Sequence, residues 1–484
     1  MARLDLSDHD RDALGHAALG WVLKYFAEAA SGPVYPSVSA DDLRAMVAEP
    51  LPREAQDPAV VFEQFVRLAM LGRNNGHPRM FGYVQSSGNF AGVIGDFLAS
   101  ALNQNVTSWR SAPAATTIEL QVIDWLKALV GFDPLAGGML VSGGSAANLA
   151  ALAVALRVST DLDLNGRGVS ALPAPPAVYA SARAHLSIPK AASLLGIGRD
   201  AMQWIPVDGA GRMDVRRLAD AIARGASDGH HQICVVANAG DVNTGAVDPI
   251  DDIADVCESR GLWLHVDGSY GGFAAAAPRV ASLFQGLDRA DSISLDPHKW
   301  LFSPLDVGCL LVRHASGLHR AFAQAADYID VVADRDMSDF AFWDVSPELS
   351  RRFRALKIWF ALKCHGASAV LETIDANIAM AEHLAAAIDG RDDFERLAPA
   401  PLSIVCFRYV PAALRGREAA LNDLNRELMV AVQRDGNAYL SNAMLGSSFA
   451  LRACIVNHRT TVSDIEMLLD TIERLGTALC ASRS

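Results

Sequence analysis

The chain has 484 residues, 55 acidic and 42 basic, for a formal charge of −13 with histidine neutral. Half of it (51%) is apolar and only 20% is charged, which excludes wholesale disorder; at roughly 150 residues per domain, the length suggests about three folding units. So negative a balance offers no broad cationic surface, which argues against nucleic-acid and membrane-surface partners.

In chain order, the first segment reads as helical. Ser7 and Asp10 have capping-box spacing, and Leu19, Val22, Leu23 and Phe26 form a stripe that needs cover from the rest of the chain or from a partner subunit. "SGPVYPSVS" (31–39) then breaks the helix. The middle alternates apolar runs with helical patterns. Strands are predicted at 138–143, 177–181, 233–239, 262–267, 292–296 and 308–313, with a helix over 215–225 striped by Val215, Leu218, Ala219 and Ile222. The runs lack polar alternation, as expected of strands covered on both faces. Strand–helix–strand repetition predicts an open, mostly parallel α/β sheet with ligands at the carboxyl ends of its strands. A basic cluster at Arg351, Arg352, Arg354 and Lys357 reads as a salt-bridged helix start at an interface. The last hundred residues read as a smaller α+β unit. It has strands at 402–410 and 449–456 and a final helix capped by Ser463 and Glu466, striped by Ile465, Leu468, Leu469, Ile472 and Leu475, and stopped at Gly476.

The expected division is a helical segment at 1–90 packing on a partner subunit, a large α/β domain at 91–370 and a small α+β domain at 371–484. The opening "MARLDLSDHDRD" lacks the apolar core of a secretory signal, and the longest uncharged stretch, 134–156, is too rich in glycine and polar residues for a membrane span. Seven cysteines lie 23 or more residues apart, without zinc or redox spacing. Scattered single cysteines point to a reducing compartment, so the expected location is the cytoplasm.

No P-loop, G-x-G-x-x-G, H-E-x-x-H or G-x-S-x-G motif is present. What remains combines well. "LVSGGSAANLAALAVAL" ends a strand in Ser142-Gly143-Gly144 and opens a helix at Ser145, a candidate anion cradle of free N–H groups. In "LWLHVDGSYGG", Asp267 closes an apolar strand, where a carboxylate needs a partner. In "SISLDPHKW", Lys299 sits in an apolar, aromatic context that can make a lysine a nucleophilic amine. His185 follows the strand "AVYAS", and Tyr328 lies in a mixed stretch at 324–345 that has the composition of a lid. An anion cradle, an acid, a lysine and a flat ring together match the needs of pyridoxal 5'-phosphate (PLP).

"DPHKWL", "HVDGSYGG", "SGGSAANL", "RRFRALKIWF" and "HPRMFGYVQSSG" resemble the group II pyridoxal-dependent decarboxylases, which include aromatic-L-amino-acid and glutamate decarboxylases. The resemblance covers about 60 to 470 and implies PLP fold type I, a homodimer with the active site at its interface, and a catalytic set of Lys299, His185, Asp267 and Tyr328. By that resemblance, Lys299 would hold PLP as a Schiff base, Asp267 would pair with the ring nitrogen and His185 would stack on the ring. Gly144, Ser145 and His298, with Ser292, would hold the phosphate, and Thr244 would support the cofactor. Tyr328 would protonate the carbon left after CO2 departs, and Tyr83, Asn105 and Thr107 would face the substrate.

The sequence departs from the usual pattern at Ala146, Asp241, Val242 and Asp296; a carboxylate at 296 needs a nearby cation if phosphate is to bind beside it. Asn105 and Thr107 stand where the aromatic-amino-acid enzymes carry apolar or aromatic residues, which leaves the substrate open. The expected reaction is decarboxylation of an L-amino acid to the amine and CO2. The alternatives are a PLP-dependent aminotransferase, an oxidative aldehyde-forming relative, and a non-catalytic PLP-binding regulator.

Overall fold

The computed structural model describes residues 4–324 and 340–481. The central sheet has seven strands: β1 (Gly137–Val141), β2 (Pro176–Ser181), β3 (Met202–Ile205), β4 (His231–Asn238), β5 (Trp263–Asp267), β6 (Ser292–Leu295) and β7 (Gly308–Val312). Their order is β1-β7-β6-β5-β4-β2-β3. From β6 to β3 every pair is parallel, and β7 alone runs antiparallel to its neighbours β1 and β6. The six predicted strands form; β3 escapes prediction because "MQWI" is too short and half-exposed to show a pattern.

The strands read as unbroken apolar runs because each sheet face has its own core. Along β4, Val235 and Ala237 enter one cluster, whereas Cys234 and Val236 enter the other. Helix Gly144–Val158 lies on the second face, and its alanines let it approach strands closely.

A second sheet holds β8 (Phe394–Arg396), β9 (Ile404–Tyr409), β10 (Ser441–Leu445) and β11 (Ser448–Cys454), antiparallel in the order β10-β11-β9-β8. Helices Glu418–Asp435 and Val462–Ala481 cover it through Leu424, Leu428, Ile465 and Leu468. Two terminal signals differ from expectation. The last helix is capped by Thr461, whose amide and hydroxyl donate to Asp464 at 2.9 and 2.8 Å, two residues ahead of the predicted Ser463 box. Gly476 does not stop it. A Cβ there would lie 2.6 Å from the Tyr409 ring, so the glycine admits an aromatic ring against the helix instead of ending it.

Helix Asp8–Ala27 forms with the predicted cap, the Asp10 amide donating to Ser7 Oγ at 3.1 Å. Trp21 stacks on Tyr25 (5.4 Å) and meets Phe65 edge-on, and Phe26 meets Phe90. Leu19 and Leu23 of the predicted stripe remain 48% and 51% exposed. The basic cluster precedes and opens helix Ala355–Asp389 and is paired within the chain. Arg351 is fully buried against Glu119, Arg352 and Lys357 reach Asp96, and Arg354 reaches Glu348.

Candidate active site

The carboxyl ends of β1, β2, β4, β5 and β6 open onto a cavity of about 380 Å³. Gly143, Gly144, Ser145, His185, Asp267, Asp296, His298 and Lys299 line it, together with Val84, Asn238, Asp241, Ser269 and Tyr270. Every residue expected at the cofactor's reactive carbon, ring and ring nitrogen is here, except that Tyr328 lies outside the described residues.

Lys299 stands on the one-turn helix Pro297–Trp300 that follows β6. Its neighbour Trp300 is fully buried, stacks on Tyr270 at 5.0 Å and donates from its indole to Asn377 at 3.1 Å, which anchors the turn. Lys299 Nζ lies 2.9 Å from Asp296 Oδ2, and His298 Nε2 is 3.7 Å from the same oxygen. Asp296 therefore has two cation-forming neighbours, as a carboxylate beside a phosphate site requires.

Asp267 is buried at the end of β5. It accepts from Asn148 Nδ2 (2.8 Å), the Ser269 amide (3.1 Å) and Ser294 Oγ (3.1 Å). Burial alone would push its carboxyl up. The hydrogen bonds from Ser269 and Asn148, with the nearby Lys299 and His265, outweigh burial and hold the group below its ordinary value. It is thus an ionised acid in a dry site. His185 follows β2, and its Nδ1 is 2.8 Å from Ser187 Oγ and 3.2 Å from the Ser187 amide. Burial, reinforced by Lys299, pushes its imidazole down against the pull of Asp267 and Asp296, favouring the neutral ring.

At the head of helix Gly144–Val158 no side chain caps the free N–H groups. Gly308 admits the backbone, since a Cβ there would lie 2.5 Å from Gly143 Cα. At Gly144 a Cβ would lie 2.8 Å from Asp296 Oδ2, so only glycine fits between the helix start and that carboxylate. Asp296 Oδ1 and Asn238 Nδ2 are buried without a hydrogen-bond partner among the described residues, and both residues line the cavity. An uncapped helix start, an ionised acid, a neutral imidazole and an amine around unpaired polar atoms fit PLP.

The remaining predicted residues lie elsewhere. Ser292 is buried behind the cavity, where its hydroxyl meets Trp263 Nε1 and His265 Nδ1, both at 2.9 Å, so it cannot reach a phosphate. Thr244 is buried too, and its hydroxyl donates to Asp241. Asp241, which also accepts from the amides of Asn243 and Ala246, organises that turn itself. Tyr83 is exposed, with Arg73 over its ring at 5.0 Å, and its neighbour Val84 is the one that lines the cavity. Asn105 Oδ1 accepts from the Arg351 amide at 2.7 Å, and Thr107 O accepts from that of Phe342 at 2.8 Å. Both brace the 340–354 segment and lie outside the cavity lining. Sequence reasoning missed Asn148, Ser269 and Ser294; the one legible signal was an asparagine inside the alanine/leucine helix, a polar group that burial obliges to find partners.

Residues 41–410 match the pyridoxal-dependent decarboxylase conserved domain. An aromatic-L-amino-acid decarboxylase of Bacillus atrophaeus is 36% identical over 480 residues, covering 98% of this chain and 97% of that one. The structure of Oryza sativa TDC with PLP and tryptamine superimposes with a TM-score of 0.92 at 28% identity, covering 99% of this chain and 100% of that one. Mouse CSAD in apo form gives 0.91 at 28% identity, with 97% and 99% covered. With residues 41–410, most of this chain, matched to the family's domain and an uncapped cradle, an acid and a lysine meeting in one cavity, this chain belongs to the pyridoxal-dependent decarboxylases.

Proposed function

We propose that this chain, a PLP-dependent amino-acid decarboxylase by family, acts on an aromatic L-amino acid, releasing the amine and CO2, with Lys299, Asp267 and His185 as its catalytic residues. The observation that carries the reading is the meeting of these three side chains with the Gly144–Ser145 helix start in one cavity. The relative named for aromatic amino acids supports the substrate class.

PLP, when bound, supplies an electron sink for the bond broken at the α-carbon. Lys299 offers the amine that holds its aldehyde, with Asp296 as the nearby counter-charge. Asp267, kept ionised by its donors, holds a proton on the ring nitrogen. His185, neutral and bonded through Nδ1, would stack on the cofactor ring. The amides at Gly144 and Ser145, with the Ser145 hydroxyl and His298, hold the phosphate. Ser292 leaves that set, and Thr244, whose hydroxyl is committed to Asp241, leaves the cofactor contacts. Tyr328 is kept as the proton donor to the α-carbon, and Tyr83, Asn105 and Thr107 as the substrate side, on the family resemblance alone. A low-dielectric pocket favours loss of the charged carboxylate.

The expected assembly is a homodimer. Leu19, Leu23 and Phe97, the last 68% exposed, form apolar surface of the kind a second copy would cover. The three segments expected from the sequence, 1–90, 91–370 and 371–484, remain our reading of its domains; the separate core beneath the second sheet supports the last boundary. Among the described residues no helix is long and apolar enough to cross a membrane. Cysteines scattered singly along the chain support work in the cytoplasm.

The test is a panel of L-amino acids assayed for CO2 and amine, against ammonia, peroxide and aldehyde, with Lys299→Ala as control. Aromatic substrates should give CO2 and amine. Aldehyde with peroxide, or turnover of acidic amino acids only, would overturn the reading. Borohydride trapping should label Lys299.

A further inference from the structure

Asp267 stands at the end of a line of hydrogen bonds that starts inside the sheet. Trp263 Nε1 donates to Ser292 Oγ at 2.9 Å, and Ser292 Oγ lies 2.9 Å from His265 Nδ1. His265 Nε2 lies 3.0 Å from Asn148 Oδ1. Asn148 Nδ2 then donates to Asp267 Oδ2 at 2.8 Å and to Ser187 Oγ at 2.8 Å, and Ser187 Oγ is 2.8 Å from His185 Nδ1. Ser292, His265 and Asn148 are buried and lie outside the cavity lining.

The two ends determine the direction of every bond between them. An indole can only donate, and an ionised carboxylate can only accept. Asn148 must turn its NH2 edge toward Asp267, since the flipped amide would set a carbonyl against a carboxylate. Its carbonyl then faces His265, which must carry its proton on Nε2. Nδ1 of His265 becomes the acceptor for the Ser292 hydroxyl, which itself accepts from Trp263. Burial pushes the His265 imidazole down to about 4, so the ring stays neutral in this role. The second N–H of Asn148 leaves Ser187 free to donate to His185. One amide thus serves both cofactor-facing groups.

We propose that Ser292, His265 and Asn148 are positioning residues that jointly keep Asp267 ionised and aimed and His185 in a single tautomer. The proposal rests on the PLP reading. The charged and titratable groups facing Asp267 are Lys299 from the turn after β6, His265 from its own strand and His185 from the loop after β2. Removing the Ser292 hydroxyl leaves these in place. It removes the donor that keeps Nδ1 of His265 an acceptor, so the ring can move its proton there, the Asn148 carbonyl loses the N–H that holds it, and the Asn148 bond to Asp267 weakens.

The test compares binding of PLP and of its carbocyclic analogue, with C–H in place of the ring nitrogen, to the full-length apoprotein. Asp267 discriminates between the two only through that nitrogen. Ser292→Ala should weaken PLP about tenfold, the worth of one lost bond to a charged group, and leave the analogue within about twofold. Ser292→Thr should restore the preference, and ¹⁵N histidine spectra should show His265 losing its single Nε2–H tautomer in Ser292→Ala only. Should Ser292→Ala not fold, His265→Gln, which keeps an N–H toward Asn148, should retain the preference that His265→Leu loses. Equal weakening of both ligands, or no change in either, overturns the proposal. A wild-type protein that takes up no PLP overturns the cofactor reading itself, and the proposal with it.

Discussion

Replacing Arg351 by methionine strands a buried carboxylate. In the folded chain the Arg351 guanidinium donates to Glu119, to Val106 O at 2.8 Å and to Leu140 O at 2.9 Å, and lies 3.8 Å above the Phe342 ring. Both charged side chains are fully buried. Burial pushes the Glu119 carboxyl up and Arg351 opposes that push, so Arg351→Met lets it rise further. Removing one partner of such a pair costs about 3–5 kcal/mol, a large share of the roughly 5–15 kcal/mol that holds a domain folded. Adding Glu119→Gln, which keeps the shape and an acceptor for the Leu140 amide, should recover about 2 kcal/mol at neutral pH.

The sign of the pH effect follows. An acid whose folded pKa is raised contributes its full stability below its unfolded value and loses it as pH rises through the folded value. Arg351→Met should therefore grow more stable as pH falls from 7 toward 4.5, by up to about 1.4 kcal/mol per unit relative to wild type, and the double variant should lack that gain. Urea unfolding at several pH values reads both effects. Equal stability of the single and double variants at pH 7, or a single variant with the wild-type slope, would refute the argument. Because Leu140 lies two residues before Ser142 and the cradle, PLP affinity should fall with stability.

Gly144→Ala places a methyl group 2.8 Å from Asp296 Oδ2 at the cradle. Such overpacking costs about 1–3 kcal/mol, and equilibrium dialysis should show PLP binding weakened roughly tenfold or more; unchanged affinity would remove Gly144 from the cradle. Asp267→Ala should retain some PLP yet lose turnover by about a hundredfold or more, and near-normal turnover would refute its role. His265 sits at about 4 when folded against an ordinary 6.5, so the unfolded chain takes up a proton in that window which the folded chain refuses. Its stability is present above pH 6.5 and lost as pH falls toward 4, by about 3 kcal/mol in total. Asp248, pushed up to about 7 by burial, acts with the opposite sign, losing stability as pH rises from about 4 to 7. His265→Gln should flatten the acid limb of a stability–pH curve; an unaltered limb would mean that another group controls it.

Local pattern carried much of this protein into view before any coordinates. Six central strands, the N-terminal cap at Ser7 and the group of Gly144, Ser145, His185, Asp267, His298 and Lys299 that meets in one cavity were legible because each rests on near neighbours in sequence. An apolar run long enough to be buried on both faces is a strand; a glycine pair before an alanine helix is a cradle.

What the sequence alone determined is therefore the kind of chemistry: a lysine, an acid, a ring and a helix start, in order along alternating strands and helices. Partnership was left to the tertiary structure. The family resemblance implied a phosphate contact for Ser292, but burial between Trp263 and His265 commits its hydroxyl to them. Gly476 looked like a stop, but a Tyr409 ring occupies the space its missing side chain leaves. Arg351 read as part of a salt-bridged helix start at an interface, yet it lies in the interior beside a glutamate 232 positions away. Buried polar groups must be satisfied by whatever the fold brings beside them, and those neighbours are distant in the chain, beyond the reach of spacing or composition.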